Sequence, residues 1–351
     1  MNGRLLLLVF FLCLCSGNLF GQQLLDAIDR QPVPFAQLID EKGVTIGVTD
    51  VNGQFPDSIR CKEITIQHLA YQSKTLRVSD LVAAVPIYIS PVPYELGEVT
   101  VASHQVDYIH LTTYFRSYQL NDSCLKYYRD GYADYFIRLK NKKVKRIVPQ
   151  MRTLVNRHLV ENDRQRANQV VDKYITIPYM EELTLIERIK ENGGTYQGDS
   201  LMNPLFVDHI QVGVVKMDTA KKVFRVEYDA LATRKKKSGT LFGYTTRLEN
   251  YFQTEVYLFR EGYQSYMDLL NRKDYRKLFY KHKDDLREQL IEVTDELYVL
   301  SHEYLTSDEA KSRMAQLKSA AEKAYPVGNG VVPSLPSCLE ETLETEMAEE
   351  R

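Results

Sequence analysis

The chain has 351 residues, of which 44% are hydrophobic, and a formal net charge of −2. This balance is that of an ordinary folded chain and excludes a global bias toward nucleic acid or acidic membranes. The length exceeds one typical domain, so we expect two or more. With 24 tyrosines and no tryptophan, the composition favours β-sheet whose faces are partly polar.

The first 21 residues have the pattern of a cleavable signal peptide. Arg4 carries a positive charge just before residues 5–15, an unbroken apolar run of 11 residues. A helix needs about 20 apolar residues to cross a bilayer, so the run predicts a signal peptide rather than a retained anchor. We place the cleavage between Gly21 and Gln22 and expect an exported protein.

A lipid-anchored product is the alternative at the N-terminus. Lipidation at Cys13 or Cys15 would need a small residue just before the cysteine, whereas Leu12 and Leu14 stand there. No later segment holds 18 consecutive apolar residues, so the sequence predicts no integral helical span after signal cleavage.

Residues 22–102 predict a small all-β sandwich. About seven short strands follow one another at regular spacing, a pattern typical of such sandwiches. Asp50-Val51-Asn52-Gly53 is a strong turn signal, because aspartate accepts local backbone hydrogen bonds and glycine adopts positive φ at little cost. Asp50 and Asn52 carry oxygens that could bind calcium, but calcium takes six or more oxygens, so we expect turn capping.

Several of these residues together resemble one known family. They are Pro34-Phe35-Ala36, Gly47, Thr49-Asp50-Val51-Asn52-Gly53-Gln54-Phe55, Ala70-Tyr71 and a closing segment at 96–101. Over residues of about 23–101 only, the chain resembles the carboxypeptidase regulatory-like domain family, although Ala70 stands where that family commonly has glycine. The resemblance implies a transthyretin-like β-sandwich, without an active site of its own, in an exported protein of a Gram-negative envelope. It also implies a periplasmic, secreted or outer-membrane-associated location.

Residues 103–262 predict an α+β domain with Tyr-rich antiparallel strands. Arg129-Asp130-Gly131 predicts a three-residue hairpin loop, with glycine at the position of positive φ. Residues 179–192 predict a helix that Gly193-Gly194 ends. Strands are expected at 206–217, 223–231 and 240–259.

The C-terminal part predicts helices followed by a tail. Between residues 263 and 325, aliphatic residues recur mostly at three- and four-residue steps, which predicts a helical segment that packs on the preceding domain. The members of this pattern are Leu269, Leu270, Leu278, Leu286, Leu290, Val293, Leu297 and Leu300. Residues 326–351 predict a Pro/Gly linker and a frayed acidic tail.

No residue set commits the chain to a chemistry. There is no His-Glu-x-x-His string, no Gly-x-Ser-x-Gly elbow and no phosphate-binding glycine loop, so we assign no catalytic residue, no cofactor and no metal ligand. The seven histidines are scattered, and the basic runs at 140–146 and 234–237 are expected to be solvated. The mature part keeps three cysteines, which permit at most one disulfide: Cys61, Cys124 and Cys338.

Three functions stay open. The first is a non-enzymatic cell-envelope protein with a β-sandwich docking module and a binding α+β domain, whose partner is an envelope protein, a glycan or a lipid and not nucleic acid. The second is a periplasmic carrier of a lipid or other apolar ligand, with Tyr244, Tyr251 and Tyr257 along one side of a curved sheet. The third is an envelope hydrolase of unknown class, since pockets built from distant residues leave no trace in one sequence.

Overall fold

A computed structural model describes residues 22–57, 59–81, 85–93, 106–164, 173–198, 200–218, 222–234, 238–241, 243–260, 264–319 and 332–350. The predicted signal peptide and the whole closing segment at 96–101 lie outside these residues. The described chain is mostly β-structure and holds four helices. None of its described helices is both long and apolar enough to cross a membrane.

Residues 22–93, here called the N-terminal unit, are all-β, consistent with the prediction. The strands are β1 Leu24–Asp26, β2 Gln37–Asp40, β3 Thr45–Val48, β4 Glu63–His68, β5 Tyr71–Arg77 and β6 Ile87–Ile89. Strands β3-β2-β4-β5 form an antiparallel sheet in that order, and β1 pairs with β6 in parallel. Leu38, Ile64, Ile66 and other aliphatic residues from both sheets fill the core between them.

The turn after β3 has the structural role that the sequence predicts. Asp50 accepts hydrogen bonds from the amides of Asn52 and Gln54, both at 2.8 Å. Thr49 accepts from the amide of Ala36 at 2.9 Å and donates to the carbonyl of Val33 at 2.8 Å. The Asp50 carboxylate therefore caps a turn, and the threonine ties this turn to the start of β2.

All other described strands belong to one antiparallel sheet, in which eleven strands are described and which is here called the large sheet. They are β7 Tyr108–Asn121, β8 Cys124–Arg138, β9 Val144–Asn156, β10 Met202–Val207, β11 Ile210–Asp218, β12 Val223–Asp229, β13 Ser238–Leu241, β14 Tyr244–Leu258, β15 Leu269–His282, β16 Gln289–Leu305 and β17 Met347–Glu349. Their order is β10-β11-β12-β14-β15-β16-β7-β8-β9-β17, with β13 paired to β14. The sheet thus joins two antiparallel meanders, one of β7 to β9 and one of β10 to β16. The last strand of the second, β16, lies beside the first strand of the first, β7.

The prediction of a helical segment at 263–325 is wrong for most of its length. β15 and β16 are strands, and the only described α-helix in this range is α3, Ser307–Ser319. The large sheet is covered on both faces, so consecutive residues such as Asn271 to Tyr275 are all buried. A strand buried on both faces loses the alternation of period two, and its leucines then mimic helical spacing by chance.

In the described part of 103–262, strands predominate, and the two α-helices there are α1, Arg157–Arg164, and α2, Leu185–Glu191. The predicted loop Arg129-Asp130-Gly131 lies in the middle of β8, and the β7–β8 turn is instead Asp122-Ser123, both with positive φ. Gly131 instead allows β8 and β9 to approach closely, because a Cβ there would lie 2.3 Å from the carbonyl oxygen of Gln150 on β9.

One face of the large sheet is covered by residues 173–192, here called the strap. Leu185, Ile186 and Ile189 of α2 are buried against this face in the largest apolar cluster of the described residues, which also contains Phe115 and Tyr257. The tyrosines considered for a carrier lie on this side, but Tyr257 is fully buried. The strap therefore occupies the space where the carrier hypothesis places an apolar ligand.

The acidic C-terminal segment is ordered, contrary to the prediction of a frayed tail. Its helix α4, Ser337–Thr345, buries Leu339 in a cluster with Tyr118 and Tyr128 of the large sheet. Strand β17 then pairs with β9, which would otherwise be a sheet edge. Two buried apolar anchors, Leu335 and Leu339, explain why an acidic segment packs instead of fraying.

Candidate functional site

The face of the large sheet opposite the strap carries the N-terminal unit. Tyr114, Val256 and Tyr298 of the large sheet belong to the same apolar cluster as Leu38 and Ile66 of the N-terminal unit. We call this line of contact the seam. It differs from an ordinary core because the strands of the sheet also direct charged side chains into it, and these pair with polar groups of the N-terminal unit.

Lys216 of β11 forms the first of these links. Its ammonium lies 2.9 Å from the Asp26 carboxylate and also pairs with Asp29. Lys216 and Asp26 are almost fully buried. Burial opposes the ionisation of Asp26, but hydrogen bonds from Lys216 and from the amide of Ile28 outweigh it, so the pKa of Asp26 lies below its usual value.

Tyr71 of β5 continues the chain of contacts. Its hydroxyl donates to Asp26 at 3.0 Å and accepts from Arg225 of β12 at 3.1 Å. Arg225 in turn lies 2.7 Å from Glu227, which lies 2.9 Å from His68 of β4. Burial raises the pKa of Tyr71, so the hydroxyl stays neutral. Burial also opposes the ionisation of Glu227, but Arg225 and His68 hold its pKa below the usual value.

The protonation state of His68 follows from its two neighbours. The amide of Ala70 donates to its Nδ1 at 3.1 Å, so that nitrogen carries no proton in the neutral ring. The proton is then on Nε2, which faces Glu227. Full burial lowers the pKa of His68 despite the attraction of the Glu227 carboxylate. A second proton would place two N–H groups, those of His68 Nδ1 and Ala70, against each other.

We expect this histidine to make the stability of the protein fall in mild acid. The folded pKa lies below the unfolded value of about 6.5, so the unfolded chain binds the extra proton first. Stability is complete above this pH and is lost as the pH falls toward the folded pKa, at up to about 1.4 kcal/mol per pH unit. Urea unfolding between pH 5 and 8 measures this slope. His68→Gln should reduce this slope by up to about 1.4 kcal/mol per pH unit, the contribution of one proton.

The matched control is His209→Gln, because His209 is exposed in the β10–β11 turn, away from the buried contacts of His68. His302 is a second histidine whose pKa is lowered by burial, so His68→Gln reduces the slope without abolishing it. Equal slopes in His68→Gln and the native chain would show that His68 titrates freely and would contradict its placement.

Further along the seam, charged groups of the sheet pair among themselves. Arg116 of β7 pairs with Glu296 of β16, and Lys273 of β15 lies 3.5 Å from the same carboxylate. Burial opposes the ionisation of Glu296, but these two cations keep its pKa low. Nearby, Glu292 accepts from the Tyr275 hydroxyl at 2.7 Å, and its burial raises its pKa.

The seam contains two clefts. Cleft A, of about 340 Å³, lies at the Lys216 end. Its described lining combines the charged groups Asp26, Lys216, Asp218 and Arg225 with the apolar groups Ile28, Ala70, Pro91, Val92, Pro93 and Val223. Of its charged residues, Asp26, Lys216 and Arg225 belong to the chain of contacts described above.

Cleft B, also of about 340 Å³, lies at the other end of β12. The N-terminal unit contributes Phe35, Thr45 and residues 47–51, and the large sheet contributes Asp229, Asn250, Phe252, Tyr275 and Lys277. Between the clefts lies a cavity of about 10 Å³, just large enough for a water molecule. The buried side-chain oxygens of Gln37 and Gln67, which line it, have no hydrogen-bond partner in the described chain.

The residues that the sequence brought forward do not assemble into a reaction centre. In the described part of the chain, no group of three or more His, Cys, Asp or Glu side chains is placed to hold a metal ion. Cys61, Cys124 and Cys338 are free thiols. Of the basic run at 140–146, Lys142 pairs with Glu187 of α2 and Arg146 donates to the carbonyl of Ile177, so both fasten the strap.

The seam residues could not be found from the sequence. Lys216 and Asp26 are 190 positions apart, and nothing near either residue marks it as a partner of the other. The Asp50 turn is the one part of the clefts that the sequence predicts, since residues 47–51 line cleft B. No protein-family model matches this chain, and no curated protein matches it at a significant level.

Proposed function

We propose that this chain is a non-enzymatic, exported cell-envelope protein that binds a small ligand between its N-terminal unit and its large sheet. The N-terminal unit is then the carboxypeptidase regulatory-like docking module that the sequence resembles. One observation carries the proposal: both clefts are lined by residues from both units. Each binding volume thus exists only when the two units are held together, and each falls within the range of small-ligand pockets, about 300–1,000 Å³.

The pairing of the seam charges supports binding over catalysis. A nucleophile or general base needs a group that is free to exchange protons with a substrate. Lys216 is engaged by Asp26 and Asp29, and Glu227 by Arg225 and His68. These contacts suit a rigid support, because separating the two units would leave the buried charge of Lys216 without its carboxylates.

A ligand-observed NMR screen with a mixture of small fragments tests the proposal, with one blocking variant for each cleft. Val92→Trp adds a ring to the lining of cleft A, and Val51→Trp adds one to the lining of cleft B. Val85→Trp is the matched control, because Val85 is 53% exposed and lines neither cleft. We expect fragment signals that at least one blocking variant abolishes and the control preserves.

Two results would overturn the proposal. Fragment signals that survive in both blocking variants would place binding outside the seam. Turnover of p-nitrophenyl esters or glycosides by the purified chain, lost on a single substitution, would show an enzyme.

A further inference from the structure

Cleft B combines an aromatic wall with polar groups. The rings of Phe35 and Phe252 stack with centroids 4.8 Å apart, and those of Phe252 and Tyr275 are nearly parallel, with centroids 6.2 Å apart. Phe35 and Tyr275 are buried, whereas Phe252 is half-buried and lines the cleft. A partly exposed ring offers an apolar surface on which the C–H groups of a ligand can rest.

Asn250 and Lys277 face each other across β14 and β15 beside this wall. The register of β14 shifts between Leu248 and Asn250, which is a β-bulge, and bulges commonly redirect a side chain beside a functional site. Within the described chain, the Asn250 amide makes no hydrogen bond, and the Lys277 ammonium has only Glu292, at 4.0 Å. Both side chains are therefore available to a ligand.

The opposite wall offers backbone groups. In the described chain β2 is the one strand neighbour of β3, so β3 is the edge of its sheet and its alternate peptide groups have no strand neighbour. The Thr45 amide donates instead to Glu292 of the large sheet at 3.4 Å, which leaves the groups further along β3 for a ligand. Asp229 completes the lining, and its carboxylate accepts the amide of Leu231 at 2.8 Å. The lining of cleft B thus places hydrogen-bond donors and acceptors around the apolar Phe252 ring. Its charged groups are the Lys277 ammonium and the Asp229 carboxylate.

From this combination we infer that cleft B is a saccharide-binding site, which takes a neutral sugar ring. A sugar has an apolar face of C–H groups and a rim of hydroxyls, each of which both donates and accepts hydrogen bonds. The apolar face of the sugar can rest on the Phe252 ring. Its hydroxyls can form hydrogen bonds with the Asn250 amide, the Lys277 ammonium and the backbone edge of β3. This inference rests on the proposed function and names the ligand class of one of its two clefts.

Other ligand classes fit the lining less well. An anion such as phosphate would find one ammonium, with the carboxylates of Asp229 and Glu292 close to it. A lipid chain would take water away from the Asn250 and Lys277 side chains without offering them a hydrogen-bond partner, which is unfavourable. An extended peptide along β3 would use the backbone edge but would leave the aromatic wall and Asn250 without a defined role.

Saturation-transfer NMR and calorimetry on the full exported chain test the inference with methyl glycosides of glucose, galactose, mannose and N-acetylglucosamine as probes. We expect at least one glycoside to bind. Asn250→Ala and Lys277→Met should each weaken this binding by about three- to tenfold, the effect of one lost hydrogen bond. Lys281→Met, four residues further along the same strand and outside the cleft, should leave it unchanged.

The contrary results separate this inference from the proposed function. Glycoside binding that Val92→Trp abolishes and Asn250→Ala preserves would move the sugar to cleft A and overturn the inference alone. Fragment binding in the seam without any glycoside binding would do the same. An acetylated tetrapeptide that binds at cleft B where no glycoside does would show strand addition to β3 instead. Because Asn250 and Lys277 are half-buried and make few contacts, circular dichroism of both variants should match the native chain.

Discussion

Replacing Lys216 by methionine should lower the free energy of unfolding by about 3–5 kcal/mol at pH 7, the usual cost of removing one partner of a buried ion pair. Methionine keeps the length of the side chain but leaves the Asp26 carboxylate buried and Asp29 without its cation. Urea unfolding followed by tyrosine fluorescence measures the loss. It should also show whether the N-terminal unit separates from the large sheet before the sheet unfolds.

The cost of Lys216→Met should shrink in acid. The pKa of Asp26 is lowered in the folded protein, so its contribution to stability is present above the unfolded value and is lost as the pH falls through the folded one. At about pH 3 the carboxyl is largely protonated in the unfolded chain, so the substitution should cost less there than at pH 7. A cost that is the same at pH 7 and pH 3 would contradict the ion pair.

Lys311→Met is the matched control for this prediction. Lys311 also pairs with an aspartate, Asp308 at 3.0 Å, but both side chains are mostly exposed on α3. An exposed pair of this kind contributes at most about 0.5 kcal/mol, because water screens it. Adding Asp26→Asn to Lys216→Met should recover part of the loss, since the uncompensated buried charge is then removed as well.

Replacing Gly131 by alanine should destabilise the large sheet by about 1–3 kcal/mol, the range for overpacking of a close-packed interior. The added Cβ would lie 2.3 Å from the Gln150 carbonyl oxygen and 2.9 Å from the Met151 Cα, so β8 and β9 must move apart. The obstacle is backbone on the neighbouring strand, which cannot rotate away as a side chain does. Thermal unfolding measured by calorimetry gives the change.

Gly239→Ala is the control for the effect of composition alone. Gly239 also lies in a strand of the large sheet, β13, but a Cβ there meets no atom within 4 Å. Its replacement should be neutral or slightly stabilising, because alanine loses less backbone entropy on folding. If Gly131→Ala proved as mild as Gly239→Ala, β8 and β9 would not approach each other as closely as the structure has them.

Local patterns in the sequence were sufficient for part of the fold. The all-β character of residues 22–93 followed from short segments separated by turns, and the Asp50 turn could be assigned its hydrogen bonds from residue type alone. Both are set within a few residues along the chain. The binding volumes could not be found in this way, because cleft B joins Thr45 to Lys277 and cleft A joins Asp26 to Arg225.

The sequence by itself showed the pattern of a signal peptide, a tyrosine-rich composition that favours sheet with partly polar faces, and the absence of known catalytic strings. Only the tertiary structure decided that β15 and β16 are strands, that Gly131 lies inside β8, and that the acidic tail packs. The tail packs through its two leucine anchors, whereas the strands β8, β15 and β16 share one physical reason. A large sheet covered on both faces buries polar and apolar residues alike, so the identity of a side chain no longer reveals the direction in which it points. Pairing across the sheet then decides which charges meet.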